Sequence, residues 1–207
     1  MRIEILNNGI KYYSNNKDGH GLDHIQEVLE NLSVLMTMAE KDLNIKFNKE
    51  LMFTAALYHD SGRTINKKYH HIESANIVRN EDYLKEIFNK NEIELIARMC
   101  EEHRSSVGEC TTIESAILND ADSISTLERI IERTIDYHLK HDEDKSPEAI
   151  YREVRKHLID KFGRNGYQKY KTKFANMLVN VEERYQIIDD EEQFKKVYNN
   201  VRKNREF

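Results

Sequence analysis

The sequence predicts an all-α protein. Only one proline and seven glycines occur in 207 residues, and because both residue types interrupt helices, their scarcity favours long helices. From Leu22 onward, apolar residues recur three or four positions apart, which is the spacing of one helix face. No segment after residue 18 shows the alternation that is typical of a strand. These observations predict a single helical bundle with a C-terminal helical extension.

The N-terminal segment, residues 1–18, is ambiguous. RIEIL and IKYY flank an Asn-Asn-Gly turn signal, and this pattern allows a small hairpin. The helical pattern that follows is clear. Apolar spacing and end signals predict helices over residues 22–39, 48–61, 73–79, 83–88, 91–103 and 113–138. The helix at 91 is expected to begin with a capping box, since Asn91 precedes Glu94 by three positions.

A charged loop over residues 141–145 separates these helices from the C-terminal extension. Ser146 and Pro147 match an N-cap and the first helical position, so a helix is expected from there to about Gly163. Two more helices are expected over 167–185 and 190–201. The chain therefore divides into an N-terminal segment 1–18, a helical core 19–140, and C-terminal helices 146–207 that pack on the core.

Composition narrows the classes of function. The formal net charge of −5 argues against a nucleic-acid binder, and no run approaches the about 20 apolar residues of a membrane span. The first residues lack the apolar region of a secretory signal, and Cys100 and Cys110 lack zinc-type spacing. We therefore expect a cytoplasmic protein with reduced thiols and no membrane or nucleic-acid partner. A homo-oligomer and a small anionic substrate both remain compatible with the sequence.

Histidines are concentrated in the first half of the chain. Six of the nine lie between His20 and His103. One of them, His59, is followed by Asp60 at the end of an apolar helix, where an ionic pair is costly unless it is paired or coordinates a cation. Imidazole and carboxylate suit divalent metals. The dipeptide alone is weak support, because His141-Asp142 repeats it within the charged loop.

The order of three segments is more specific than the dipeptide. GHGLDHIQEVL is followed by AALYHDSGR and then by NDADSIS. This order resembles the HD-domain phosphohydrolase superfamily over about residues 19–130, although Ser-Gly-Arg after Asp60 replaces the usual apolar-Gly step. The resemblance implies an HD-type helical bundle that holds one or two divalent ions (Mn, Fe, Co, Zn, Ni or Mg). The ligands that it implies are His24, His59, Asp60 and Asp122.

The choice between Asp120 and Asp122 rests on two arguments that disagree. Helical phase places Asp120 near the apolar stripe of its helix and Asp122 roughly opposite. The resemblance favours Asp122, the residue after alanine. We take Asp122 as the ligand and Asp120 as a candidate accessory residue that orients a ligand histidine.

Further side chains are candidates for accessory roles. HHIESANIV and EEHR resemble the accessory histidine segments of the superfamily, which suggests His70, and less so its neighbour His71, as accessory ligands. His103 is expected to bind a second metal or a phosphate, or to act as a general acid. His20 would line the substrate mouth, and Arg63 and Arg104 suit phosphate contacts. For each histidine, a surface or groove position without function is the alternative.

The expected function is hydrolysis of a phosphoester or phosphoanhydride of a nucleotide-like substrate by metal-activated water. Neither a nucleophilic serine or cysteine motif nor a P-loop occurs in the sequence. The alternative is a regulatory domain that binds metal and nucleotide without turnover, and a helical adaptor is the second alternative. The sequence leaves open whether the enzyme is a nucleotidase, a pyrophosphohydrolase or a phosphodiesterase.

Overall fold

The computed structural model describes residues 2–13, 20–104, 109–142 and 144–203, and all regular secondary structure within these ranges is helical. The first seven helices are α1 Ile3–Ile10, α2 Leu22–Leu43, α3 Lys49–Tyr58, α4 His70–Asn80, α5 Asp82–Ile87, α6 Lys90–Glu102 and α7 Ile113–Ser123. The other five are α8 Leu127–His141, α9 Pro147–Phe162, α10 Lys173–Val179, α11 Val181–Asp189 and α12 Glu191–Lys203. A short 3-10 turn, Ser61–Thr64, follows α3. The prediction of an all-α fold is confirmed.

The chain forms two compact units. The first comprises Met1–Ile124 and Tyr170–Ala175, and the second comprises Ser125–Lys169 and Asn176–Phe207. The sequence-based division at residues 18, 140 and 146 thus differs from the units, and the packing of residues 146–207 on the core stays a prediction. None of the helices in the described ranges combines the length and the apolar character that a membrane span requires.

In the first unit, α2 packs on α3 and α7, and α6 packs on α3, α4 and α7. Apolar side chains from these helices are fully buried between them, including Leu32, Leu35, Met52, Ile96, Met99, Ile117 and Leu118. Three helices of this unit begin at a side-chain cap: Asn48 accepts from the Leu51 amide, Asn89 from the Glu92 amide, and Thr112 from the Ser115 amide. The capping box is therefore Asn89 with Glu92, and the sequence-based choice of Asn91 with Glu94 is wrong by two positions.

The N-terminal segment is helical, and the expected hairpin is wrong for residues 3–10. Residues 3–10 form the helix α1, and residues 14–18 of the expected hairpin lie outside the described residues. The glycine that suggested a turn is used for close packing, because a Cβ on Gly9 would lie 2.3 Å from Leu57 Cδ2. Ile5 is buried on the same face, one helical turn earlier. The segment is thus an amphipathic helix that packs on α3.

The single long helix expected over 113–138 is two helices. The α7 helix ends at Ser123, where the Asn31 side chain donates to the carbonyls of Ala121 and Ile124 at 3.1 and 2.9 Å. The α8 helix begins after Thr126, whose hydroxyl accepts from the Arg129 amide at 3.2 Å. Both helix ends are therefore satisfied by side chains, which makes the break stable.

The second unit has its own apolar core, formed by α8, α9, α11 and α12. The most buried members are Ile131, Val154, Leu158, Ile188 and Phe194, each with no exposed surface. The N-cap at Ser146, with Pro147 at the first helical position, is confirmed, and α9 ends at Phe162 next to Gly163.

The helix expected over 167–185 is shorter and divided. It starts only at Lys173, and Asn180, in the left-handed region at φ 48°, separates α10 from α11. Residues 170–172 are held outside the helix by Asp120, which accepts hydrogen bonds from the amides of Lys171 and Thr172 at 2.6 and 2.8 Å.

Candidate metal centre

Helix ends bring the candidate ligands together inside the first unit. His24 lies in the first turn of α2, His59 and Asp60 directly follow α3, and Asp122 lies in the last turn of α7. His24, His59 and Asp60 are at most 4% exposed. Burial of so many polar groups is costly unless they are paired or hold a cation.

One part of the cluster is centred on Asp122. Its Oδ1 lies 3.0 Å from His24 Nε2 and 3.4 Å from His59 Nε2. The same two nitrogens lie 4.0 and 3.7 Å from Asp60 Oδ2. His24 and His59 therefore both direct Nε2 at the carboxylates of Asp60 and Asp122.

The other part of the cluster surrounds the second carboxylate oxygen of Asp60, Oδ1. This oxygen is 3.2 Å from His70 Nε2 and 3.6 Å from His103 Nε2. These two nitrogens are 3.3 Å apart. His70 opens α4 and His103 directly follows α6, so two further helix ends contribute to the cluster.

Backbone carbonyls orient three of the four histidines in the same way. The Nδ1 atoms of His59, His70 and His103 lie 2.6, 3.0 and 2.7 Å from the carbonyls of Ala56, Lys67 and Cys100, each three residues earlier. An Nδ1–H that donates to a carbonyl leaves Nε2 as the nitrogen that can bind a metal. This arrangement presents Nε2 of each ring to the cluster.

The residues present fit a divalent metal. His24 Nε2 and His59 Nε2 are buried and make no hydrogen bond with the residues that the structure describes, although Asp122 lies within 3.4 Å of both. Ligands about 2.0–2.2 Å from one ion lie roughly 3–3.5 Å from each other, and the distances around Asp122 fall in this range. Within the described ranges, three combinations of cluster atoms lie close enough to hold an ion: His20 with His24 and Asp60, His24 with His59 and Asp122, and His59 with Asp60 and His103.

Opposing charges set the protonation of the cluster. Burial raises the pKa of Asp60 and of Asp122, but the surrounding histidines outweigh burial and hold both pKa values well below their usual range. Burial lowers the pKa of His59, but the carboxylates of Asp60 and Asp122 raise it to about 9. Burial and the neighbouring His103 lower the pKa of His70 to about 4. The two carboxylates are thus ionised, and His70 is neutral at pH 7, as a ligand must be.

His20 and Arg63 lie at the edge of the cluster. His20 Nδ1 contacts Asp60 Oδ2 at 2.7 Å, and its side chain is 33% exposed. Arg63 Nε lies 3.9 Å from the same oxygen. These two side chains join the buried ligands to the solvent-facing side, where the sequence analysis expected the substrate.

Three of the sequence candidates are placed elsewhere. Asp120 is buried, but the amides of residues 171 and 172 and the Thr172 hydroxyl occupy its oxygens, so it orients this segment rather than a ligand histidine. His71 is buried beside His70, and its Nδ1 makes no hydrogen bond with the described residues. Arg104 Nη1 donates to the Lys68 carbonyl at 2.6 Å, on the loop before α4.

Tyr13 was not predicted from the sequence to belong to the site. This side chain is 1% exposed, and its hydroxyl accepts a hydrogen bond from the Asp60 amide at 3.3 Å. Burial and the Asp60 carboxylate raise the pKa of Tyr13 well above its usual value, so it stays a neutral phenol. A prediction of a helix over residues 3–10 would have placed Tyr13 directly after a packed helix.

A second missed contact positions the turn after Asp60. The Gly62 amide donates to Ser74 Oγ at 2.9 Å. A Cβ on Gly62 would lie 2.5 Å from the His70 carbonyl oxygen and 2.6 Å from the Ser74 amide nitrogen. The absence of a side chain at residue 62 therefore allows the turn after Asp60 to lie directly against the start of α4.

Comparisons with known proteins agree with this geometry. The family model described as HD domain matches residues 22–127, which is about half of the chain and includes all of His24, His59, Asp60, His70, His103 and Asp122. Neither a curated protein nor a solved structure matches the chain significantly. The chain belongs to the HD-domain family, the superfamily of metal-dependent phosphohydrolases.

Proposed function

We propose that this protein is a metal-dependent phosphohydrolase that cleaves a phosphoester or phosphoanhydride bond of a small, nucleotide-like anion by attack of water. One observation carries the proposal. Nitrogen atoms of four histidines, His24, His59, His70 and His103, converge on the buried carboxylate of Asp60 and the partly buried carboxylate of Asp122, and two of these nitrogens make no hydrogen bond with the described residues. A buried cluster of this composition is stabilised by a bound cation.

The two oxygens of Asp60 support a centre for two ions. One ion would be held by His24, His59, Asp60 and Asp122, and the other by Asp60 with His70 and His103. This division follows the distances, because Oδ2 faces the first set and Oδ1 faces the second. His103 is then a ligand, and it is not the general acid, since its Nε2 cannot bind a metal and donate a proton together.

Such ions, when bound, supply a Lewis acid that polarises a phosphoryl oxygen and increases the acidity of water. Two ionised carboxylates would offset only half of the charge of two divalent ions. The centre would therefore carry excess positive charge and attract an anion, although the whole chain has a net charge of −5.

Arg63 is the side chain best placed to bind the substrate. Its guanidinium lies beside Asp60 at the less buried edge of the cluster, and its side chain keeps 17% exposure. A guanidinium can donate two hydrogen bonds to one phosphate, which would hold the equatorial oxygens during displacement. His20 lies on the same edge, and because its Nδ1–H donates to Asp60, its Nε2 can accept a hydrogen bond from a substrate hydroxyl. Arg104 is less well supported, because its contact with Lys68 ties it to a neighbouring loop.

The nearby hydroxyl and thiol groups are poor nucleophiles, which supports attack by water. Ser61 Oγ donates to the Tyr58 carbonyl at 2.7 Å and is fully buried. Burial raises the pKa of the Cys100 thiol far above the neutral range, so no thiolate is present there. A covalent phosphoenzyme at either residue would need a nucleophile that this environment suppresses.

The proposal is tested by assaying protein loaded in turn with Mn, Co, Fe and Mg against nucleoside mono-, di- and triphosphates and phosphodiesters. The Asp60→Ala variant should bind no metal, and it should no longer release phosphate or pyrophosphate from these substrates. Asp142→Ala is the matched control, because Asp142 also follows a histidine but contacts His138 and Lys145 in the second unit. It should keep both properties.

The outcomes separate the alternatives. Metal-dependent release that only Asp60→Ala abolishes supports the hydrolase. Saturable nucleotide binding by the metal-loaded protein without any product would favour the regulatory domain. Wild-type protein that binds no metal under any of these conditions would contradict the proposal.

A further inference from the structure

Tyr13 contacts the backbone of Asp60, although it comes from a different part of the chain. It follows α1, and its amide donates to the Ile10 carbonyl at 2.9 Å, which closes the helix with a tight turn. The side chain is 1% exposed, and its hydroxyl reaches the Asp60 amide. The contact spans 47 positions in sequence.

The Asp60 amide needs this partner because of the way α3 ends. In a continuing helix this amide would donate to the Ala56 carbonyl. That carbonyl instead contacts Nδ1 of His59 at 2.6 Å. The hydrogen bond that orients His59 as a ligand thus leaves the amide of the next ligand to be satisfied by Tyr13.

The position of Tyr13 is fixed by the close packing of α1 on α3. Gly9 lies so near to Leu57 that a Cβ would come within 2.3 Å of its side chain. Leu57 precedes Asp60 by three residues, and Ile5 on the same face of α1 is completely buried. The helix that precedes Tyr13 is therefore packed against the end of α3 that His59 and Asp60 follow.

We propose that Tyr13 is a positioning residue of the metal centre. Its hydroxyl holds the peptide of Asp60 so that one carboxylate oxygen faces each set of histidines. Tyr13 lies outside residues 22–127, which match the family model. The inference rests on the proposed metal-dependent function.

The test compares Tyr13→Phe with Tyr12→Phe. Each variant loses one hydroxyl, and the Tyr12 hydroxyl donates to Glu81 at 3.0 Å, away from the ligands. Metal-free proteins are titrated with Mn²⁺ by calorimetry, and the visible absorption spectrum of the Co²⁺ form is recorded. Tyr13→Phe should bind Mn²⁺ about 10-fold more weakly or worse and change the Co²⁺ spectrum, as expected when a group that orients a ligand is lost. Tyr12→Phe should match the wild type in both measurements.

Equal Mn²⁺ affinity and an unchanged Co²⁺ spectrum in Tyr13→Phe would overturn the inference. If the wild-type protein binds neither ion, the proposed function itself is overturned. The titration of the wild type alone therefore distinguishes failure of the proposed function from failure of this inference. Hydrogen exchange of the metal-free wild type provides a second measurement should Tyr13→Phe not fold. The Asp60 amide should exchange as slowly as the amides within α3, and exchange at the rate of an exposed loop would contradict the hydrogen bond to Tyr13.

Discussion

Asp60 and His59 differ in whether they must lose a proton before they can bind a metal. The Asp60 carboxylate is already ionised, because the histidines around it keep its pKa low. His59 is protonated in the metal-free protein, since the two carboxylates raise its pKa to about 9. The carboxylates thus stabilise a proton on His59 where a cation would take its place.

This difference predicts proton release on metal binding. The pKa of His59 rises from 6.5 to about 9 in the metal-free fold, and a ligand imidazole must be deprotonated. At roughly pH 7.5 metal binding should therefore release a proton, and the apparent affinity should increase as the pH rises toward that pKa. Calorimetry with Mn²⁺ in two buffers of different ionisation enthalpy measures the release. Equal heats in both buffers would contradict the protonation of His59.

Asp120 and Asp122 are two residues apart and should respond differently to the same substitution. Asp120→Asn places an amide group where Asp120 now accepts three hydrogen bonds from Lys171 and Thr172. Because hydrogen bonds to a charged group contribute about 1.5–3 kcal/mol, the free energy of unfolding should fall by about that amount. Urea unfolding checks the stability, and the metal content should stay at the wild-type level.

Asp122→Asn is the matched comparison. It removes a ligand oxygen that His24 and His59 face, so metal binding should be lost. The opposite pattern, with metal lost only in Asp120→Asn, would return the ligand role to the residue that helical phase favoured.

At the scale of the elements, the centre is built where helices end. The histidines at the ends of α3 and α6 donate Nδ1 to carbonyls of their own last turns. These carbonyls have no intrahelical amide partner at a helix end. The ends of α3 and α6 thereby orient an imidazole and have one of their own carbonyls satisfied. The starts of α2 and α4 and the end of α7 supply the other ligands.

The 3-10 turn after Asp60 should be sensitive to any side chain at residue 62. In Gly62→Ala the new Cβ would meet backbone atoms of His70 and Ser74, so α4 must shift and carry His70 away from Asp60. We expect a loss of about 1–3 kcal/mol in the free energy of unfolding and about 10-fold weaker binding of the second ion. Urea unfolding and Mn²⁺ titration measure the two effects.

Asn76→Ala is the control for this prediction, because Asn76 lies on the exposed side of the same helix. It should change stability by no more than about 0.5 kcal/mol. Wild-type Mn²⁺ stoichiometry in Gly62→Ala would show that the turn does not position His70.

At the scale of the whole molecule, every candidate ligand lies in the first unit and the second unit has a separate apolar core. The first unit nevertheless includes residues 170–175, which come from late in the chain. Asp120 of α7 binds this segment through the amides of Lys171 and Thr172. The fold of the first unit thus depends on residues well beyond the family match at 22–127.

Separate cores predict that stability and metal binding can be changed independently. Phe194→Ala empties a fully buried position of the second core and should cost about 3–5 kcal/mol in urea unfolding. Metal affinity at pH 7 should remain, because all ligands are in the first unit. Tyr137→Ala, at a position 57% exposed, serves as the control and should have little effect. Loss of metal binding in folded Phe194→Ala would contradict this independence.

The sequence by itself determined the helical class and named the histidines and aspartates that the structure brings together. Helix periodicity, N-caps such as Ser146 and the His59-Asp60 pair are local patterns, so a single sequence displays them. Helix ends were predicted less well, because the break after Ser123 depends on Asn31, a residue more than 90 positions away.

Only the tertiary structure decided how the ligands are shared and supported. The two-sided position of Asp60, the contact of Tyr13 with its amide and the attachment of residues 171 and 172 to Asp120 each join distant parts of the chain. Such contacts have no sequence period, because they are set by how whole helices pack. The sequence therefore determined which groups are available for metal chemistry, and the packing of helix ends decided which atoms face one another.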